Sequence, residues 1–281
     1  MKKIILRLII IALLCLIAVA IVFLGAGYSM YSKAIKAESM DDKIADIRSN
    51  VNYTKIDDVS KMYKNAVVAV EDHRFYSHCG IDVWAIMRAM ARNVKYKELL
   101  EGGSTITQQV VKNVTQEKAS SGAAGVIRKL KEWSKAYQIE KVMSKDQIIE
   151  LYLNLIYIGN GGSEKHGVEI GSEYYFNKSA KDLSIAQCAF LAGMNNSPNS
   201  YNPFGEKDNS EKIKKRTKTV LSQMKKFNYI TQEEYDNAVA EVDAGFKFEN
   251  GVKGNVYSSH TDALIDQLIA QIMEEKEINI T

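Results

Sequence analysis

EDHRFYSHCG (residues 71–80), GGSTITQQVVK (residues 102–112) and RKLKE (residues 128–132) lie within one stretch of the chain. Two carboxylates, Glu71 and Glu132, bracket a run of hydroxyls, amides and cations there. That inventory suits the deprotonation of one hydroxyl while an anionic leaving group is held nearby. No ordinary structural segment needs all three kinds of group together.

The surroundings of this stretch bound its setting. With 281 residues, 46% hydrophobic and 25% charged, the chain can bury one large core or two small ones. Only Pro198 and Pro203 interrupt it, and an apolar period near 3.6 dominates, so a mainly α protein is expected. A net charge of +3 is too small to point to nucleic acid. Cys15, Cys79 and Cys188 are an odd number, and Cys15 lies in the apolar N-terminal run, which argues against a disulfide framework. A pairing of Cys79 with Cys188 stays open.

Residues 8–32 carry no charge and are mostly Leu, Ile, Val and Ala, enough to cross roughly 30 Å of hydrocarbon as a transmembrane helix. Lys2, Lys3 and Arg7 precede them, so residues 1–7 are expected in the cytoplasm and the remainder outside. The run is longer than the apolar part of a signal peptide and no clear small-x-small site follows, which favours an uncleaved anchor. Residues 33–55 then read as a stalk, 56–248 as the main domain and 249–281 as a connector-like tail.

Within the domain, Val59, Met62, Tyr63, Ala66, Val67 and Val70 form one helical stripe after Asp57 or Asp58 as N-cap, and Glu71 and Asp72 follow where it ends. A carboxylate at the edge of an apolar face is ordinarily solvated, yet partial burial raises its pKa toward that of a useful base. No helical spacing brings His73 and His78 together on a metal, so both read as hydrogen-bonding or packing residues. Residues 83–94 read as a helix that loses regularity before Gly102 and Gly103, where close backbone approach is permitted. Ser104 or Thr105 caps the next helix, whose free N–H groups also suit a phosphate, with Thr107, Gln108 and Gln109 in its first turns and Lys112 within reach.

Residues 115–125 read as a flexible connection, and Arg128 opens a long helix to about Met143. Arg128 and Glu132, spaced i to i+4, are either a surface pair worth under ~1 kcal/mol or part of a site. Ser144 and Gln147 form a capping box ahead of IIELYLNLIYI, expected as the buried helix at the centre of the domain, with a loop over residues 159–167. AQCAFLAG (residues 186–193) reads as buried. Residues 211–227 read as an amphipathic helix with a solvated basic face that can also meet anionic lipid. Thr231 opens a further capping box with Glu234. The Ser-x-x-Lys match at Ser222 lies in the amphipathic helix and reads as chance.

Taken in order, these motifs resemble the peptidoglycan glycosyltransferase family, the membrane-anchored domain of class A penicillin-binding proteins and of monofunctional transglycosylases. EDHRFYSHCG is similar to E-D-x-x-F-x-x-H-x-G, GGSTITQQ to G-x-S-T-I-T-Q-Q, and RKLKE to R-K-x-x-E. IIELYLNLIYIGNG is similar to the family's helix before a glycine loop. The resemblance implies a lysozyme-like, mainly helical fold that polymerises lipid II into glycan strands by inverting transfer outside the cytoplasmic membrane. It implies Glu71 as the general base on the acceptor GlcNAc 4-hydroxyl and Glu132 as a second essential carboxylate. Lys112, Arg128 and Lys129 are implied near the diphosphate, and Ser104, Thr105, Thr107, Gln108 and Gln109 in the substrate-binding set.

Glu132 then either holds a divalent ion or orients Arg128 and Lys129, Arg offering bidentate phosphate contacts that Lys lacks. A divalent cation, Mg2+ or Mn2+, is expected without assignable ligands, and no organic cofactor. Expected partners are lipid II, the growing strand, the cytoplasmic membrane and other cell-wall synthesis proteins, with no nucleic acid. Apolar residues between Trp84 and Leu100 are expected to add a shallow membrane contact. Three departures stand out: Ala123, Ala124 and Gly125 replace a frequent basic residue, GGSEKHG is longer than the usual loop, and Gln187 stands where Glu is common. A glycan-cleaving lysozyme-like enzyme would share the glutamate without needing the cations, and a non-catalytic scaffold would need neither.

Overall fold

The computed structural model describes residues 40–50, 53–96, 102–115, 122–160, 164–205 and 207–249. The expected span at residues 8–32 and nearly all of the expected tail at 249–281 lie outside the described residues. Among the described residues no helix is long and apolar enough to cross a membrane. The chain is mainly α, as expected: α1 (Met40–Ser49), α2 (Lys61–Glu71), α3 (Val83–Tyr96), α4 (Ile106–Thr115), α5 (Gly122–Val142) and α6 (Lys145–Leu155) precede one hairpin. That hairpin pairs β1 (Tyr157–Asn160) antiparallel with β2 (Glu164–His166), and α7 (Val168–Phe176), α8 (Ile185–Met194), α9 (Ser210–Lys226) and α10 (Gln232–Ala244) follow.

Helix α8 is the pivot of one packing group. It is buried from Ala186 to Met194, lying against both α2 and α9, with α9 also touching α2 and α10. Such all-round burial needs an apolar helix, and each fully buried large aliphatic side chain contributes roughly 1.5–3 kcal/mol. Ser184 caps α8 and Gln187 closes the capping box, so Gln187 in this chain serves its own helix start. The second group is α4 against α5 and α6. Here Ser144 and Gln147 form the expected box, and Ile148, Ile149, Leu151, Tyr152 and Leu153 of α6 are buried.

Several local expectations are corrected. Asp57 and Asp58 do not start α2; they are exposed in a 3-10 turn, and Ser60 caps the helix by accepting from the Met62 N–H. The Ser60 N–H is tied to the Ala180 carbonyl at 3.1 Å, which fixes where the chain turns into α2. Residues 122–125 are the first turn of α5 rather than a flexible connection. The apolar run of α6 ends at Leu155, and Ile158 is a strand residue, buried, whose carbonyl accepts from Tyr175 Oη at 2.8 Å. Most of the loop expected at 159–167 is therefore hairpin. Helix α3 stays regular to Tyr96 and leaves Val83, Trp84, Met87 and Met90 exposed. Helix α1 falls in the stretch read as stalk and buries Ile44 in the core. Cys79 is exposed and Cys188 buried, and both are free thiols.

Gly80 closes the 71–80 motif with φ +85°, and a Cβ there would meet the Ala136 carbonyl oxygen at 2.7 Å. Only glycine fits both the left-handed backbone and the backbone of α5 lying against it.

Candidate active site

Glu71 is the last residue of α2, half-buried at the wall of a cavity of about 560 Å³. Its Oε2 accepts a 2.9 Å hydrogen bond from Gln109 Nε2 on α4. The two residues belong to the two separate packing groups, so the site forms only where those groups meet. Burial pushes the Glu71 carboxyl above the usual carboxylate range; the Gln109 hydrogen bond and the charge of Arg216 pull it back, and Asp72 adds to the rise. A carboxylate disfavoured by burial yet held by one donor is a base that takes up a proton readily.

The motif around Glu71 is fastened from behind. His78 Nδ1 accepts from the Gly80 N–H at 3.2 Å, which places the ring proton on Nε2, and Nε2 donates to Asp72 at 3.0 and 2.9 Å. Asp72 is buried, and its Oδ2 also accepts from the Ile106 N–H at 3.1 Å, at the positive end of α4. Thr105 caps α4 by accepting from the Gln108 N–H at 3.2 Å and donates to the Gly80 carbonyl at 2.7 Å. Gln108 Nε2 donates to that carbonyl at 3.3 Å, and Thr107 donates to Glu140 at 2.5 Å. Glu140 also accepts from Lys145, which reaches the His78 carbonyl at 2.8 Å. Thr105, Thr107 and Gln108 are thus buried, and these bonds aim them at protein groups, while Ser104 and Gln109 face the cavity.

The second carboxylate organises cations. Glu132, 6% exposed, accepts from Lys129 through Oε1 and from Arg128 at 3.4 Å through Oε2. Lys129 Nζ also donates to Ser104 Oγ at 3.0 Å. Lys112, Arg128 and Glu132 line a narrow groove beside Lys135. Ser104 lines the Glu71 cavity and Glu132 the groove, so Lys129, bonded to both, links the two. Among the described residues no three His, Cys, Asp or Glu side chains come together as a metal site. With the oxygens of Glu132 engaged by two cations, these residues do not fit a resident divalent ion, and no step below runs through one.

Four cations on the cavity wall escaped the reading of the sequence: Arg88, Arg92, Arg216 and Lys226. Arg216 Nε donates to the Gly193 carbonyl at 3.0 Å, which turns part of the supposedly solvated face of α9 toward Glu71. A signal existed. Arg216 follows Ile213 by three residues and precedes Val220 by four, so it rides on the apolar stripe of its helix. Asp72 and His78 were visible as residues but not as partners.

The family model described as Transglycosylase matches residues 40–225. Penicillin-binding protein 1A of Neisseria lactamica is 41% identical over 207 residues, covering 72% of this chain and 24% of that protein. Its namesake from Clostridium tetani (strain Massachusetts / E88) is 36% identical over 256 residues, covering 88% of this chain and 31% of that protein. The chain therefore spans between a fifth and a third of the length of these curated relatives. A crystal structure of penicillin-binding protein 1A from Haemophilus influenzae aligns over 79% of this chain and 21% of that one, with 20% identity and a TM-score of 0.40, too low to bear on the fold. The match over residues 40–225 takes in Glu71, the polar cluster and Glu132 together, and the chain belongs to the transglycosylase family, that of the peptidoglycan glycosyltransferases of class A penicillin-binding proteins.

Proposed function

We propose that this chain polymerises lipid II into glycan strands, and the observation that carries this reading is Glu71 held by Gln109 in a cavity otherwise rich in cations. Glu71 accepts the proton of the acceptor GlcNAc 4-hydroxyl. That oxygen forms the new bond to the donor anomeric carbon from the face opposite the leaving group, and the carbon–oxygen bond to the diphosphate breaks. The electron pair leaves with the polyprenyl diphosphate, and the configuration inverts. A diphosphate is a good leaving group once neutralised, so one base suffices and the cations supply the rest. Arg88, Arg92, Arg216 and Lys226 join Lys112, Arg128 and Lys129 in that task, and Glu132 orients Arg128 and Lys129.

Thr105, Thr107, Gln108, Asp72 and His78 act by holding the 71–80 segment against α4 and α5. Of the substrate-binding set, Ser104 and Gln109 are the members on the cavity wall. The exposed apolar face of α3 suits a shallow membrane contact, beside a single-pass anchor with a cytoplasmic N-terminus and the catalytic domain outside. The contacts with other cell-wall synthesis proteins belong to this same reading.

The deciding experiment incubates the full chain with fluorescent lipid II in liposomes. Polymer that lysozyme digests supports transfer. Fragments released from finished glycan, with no polymer from lipid II, overturn it in favour of a hydrolase, and neither product leaves only a scaffold.

A further inference from the structure

Two aromatic rings stand on the wall of the Glu71 cavity: the imidazole of His73, two residues beyond Glu71, and Phe227, which caps the end of α9. Their centroids are 4.5 Å apart and their planes within 12° of parallel. The stack joins the segment just past the end of α2 to the end of α9, with Glu71 on the same cavity wall. Around it the wall carries carboxylate, amide, hydroxyl and cation, including Asn196, Thr219 and Gln223, with Ala69, Val70 and Gly102 beside them. A phosphate would need the cations alone. A pyranose ring has a polar rim and apolar C–H faces, and a flat aromatic surface with a negative face, set among amides and hydroxyls, satisfies both parts of it. Burial, and then the charge of Arg88, lower the pKa of His73, so its ring is neutral at neutral pH and adds no further charge to a cationic wall.

We infer that the His73–Phe227 stack is the carbohydrate platform of the acceptor side, against which the sugar ring rests while its hydroxyl meets Glu71. This deepens the proposed transfer and rests on it. His73 contacts the sugar, and Phe227 is a positioning residue that backs the imidazole. A role confined to packing would move stability and leave substrate affinity unchanged.

The test uses the full chain in liposomes, comparing His73→Ala, His73→Phe and Phe227→Leu with the unmodified protein, together with saturation-transfer NMR using a soluble GlcNAc–MurNAc disaccharide. His73→Ala is expected to raise KM for lipid II about tenfold with kcat within about twofold, to erase the disaccharide signal, and to be rescued by His73→Phe. Unchanged KM and disaccharide signal in a folded His73→Ala overturn the platform. So does a His73→Phe variant as impaired as His73→Ala, since the ring nitrogens rather than the ring face would then matter. Should His73→Ala fail to fold, Phe227→Leu decides: raised KM at unchanged kcat supports the platform, and unchanged KM overturns it. Absence of polymer from the unmodified protein sinks the transfer reading instead, and the disaccharide signal then stands alone: lost in His73→Ala it upholds the platform, absent from the unmodified protein it removes it.

Discussion

Gln109 Nε2 on α4 reaches Glu71 Oε2 at the end of α2 across 2.9 Å, although the two lie 38 positions apart in the chain with the whole of α3 between them. This one bond ties the base to the helix whose start carries the polar cluster. The ionised form of Glu71 is the form it favours.

Replacing Glu71 by Gln is expected to lower polymerisation by roughly 10²- to 10⁴-fold while keeping side-chain volume and the contact with Gln109. The fold should not suffer. A carboxyl whose folded-state pKa is raised contributes most below its unfolded pKa, and that contribution is lost as pH rises through the folded pKa. Glu71→Gln should therefore melt at or above the unmodified protein at pH 7.5, with the gap closing toward pH 4. Thermal melts across that range check it, and turnover near the unmodified rate would remove Glu71 as base.

Activity of the unmodified protein should fall on acidification at a pH above the ordinary glutamate value of about 4.3, because burial raises the Glu71 pKa. Gln109→Leu removes a donor to the charged form and should shift that acid limb further upward. A pH profile of kcat/KM for both proteins shows it; an unmoved limb in Gln109→Leu would mean that the hydrogen bond does not tune the base.

The two groups of cations are separable. Arg128→Ala and Arg216→Ala should each weaken turnover and binding of a phosphoglycolipid inhibitor such as moenomycin by roughly tenfold or more, as expected for a lost hydrogen bond to a charged group of about 1.5–3 kcal/mol. Only Arg216→Ala should also raise the acid limb, since Arg216 is the cation whose charge lowers the Glu71 pKa. Unchanged inhibitor affinity in either variant places that cation outside the donor site.

Gly80→Ala should cost about 2–4 kcal/mol, from the left-handed backbone and from a Cβ placed 2.7 Å from the Ala136 carbonyl. Urea titration measures the loss. Stability within ~0.5 kcal/mol of the unmodified protein would show that the loop shifts freely off α5.

Removal of residues 1–31 should lower activity on lipid II in liposomes far more than on a short-chain, water-soluble analogue, because a shared bilayer raises the effective concentration of a lipid-borne substrate. The exposed Trp84, Met87 and Met90 of α3 should leave residual vesicle binding, read by cosedimentation. Equal losses on both substrates would assign the N-terminal run to folding rather than to surface concentration.

The sequence by itself determined most of the long helices and two of their starts, because a 3.6-residue apolar period and a Ser-x-x-Gln or Thr-x-x-Glu box are local facts: α6 and α10 start where Ser144 and Thr231 place them. Glu71 and Glu132 were legible as well, through their motifs. What only the tertiary structure decided is which polar groups meet. Thr105, Thr107 and Gln108 look no different in sequence from Ser104 and Gln109, yet three face Gly80 and Glu140 while two face the cavity. Arg216, far along the chain from Glu71, enters the site because Gly193 lets α9 close on α8 and accepts its Nε–H. Periodicity tells which face of a helix is buried; what that face is buried against depends on how the α2–α8–α9 group meets the α4–α5–α6 group, and that is settled by packing between residues far apart in the chain.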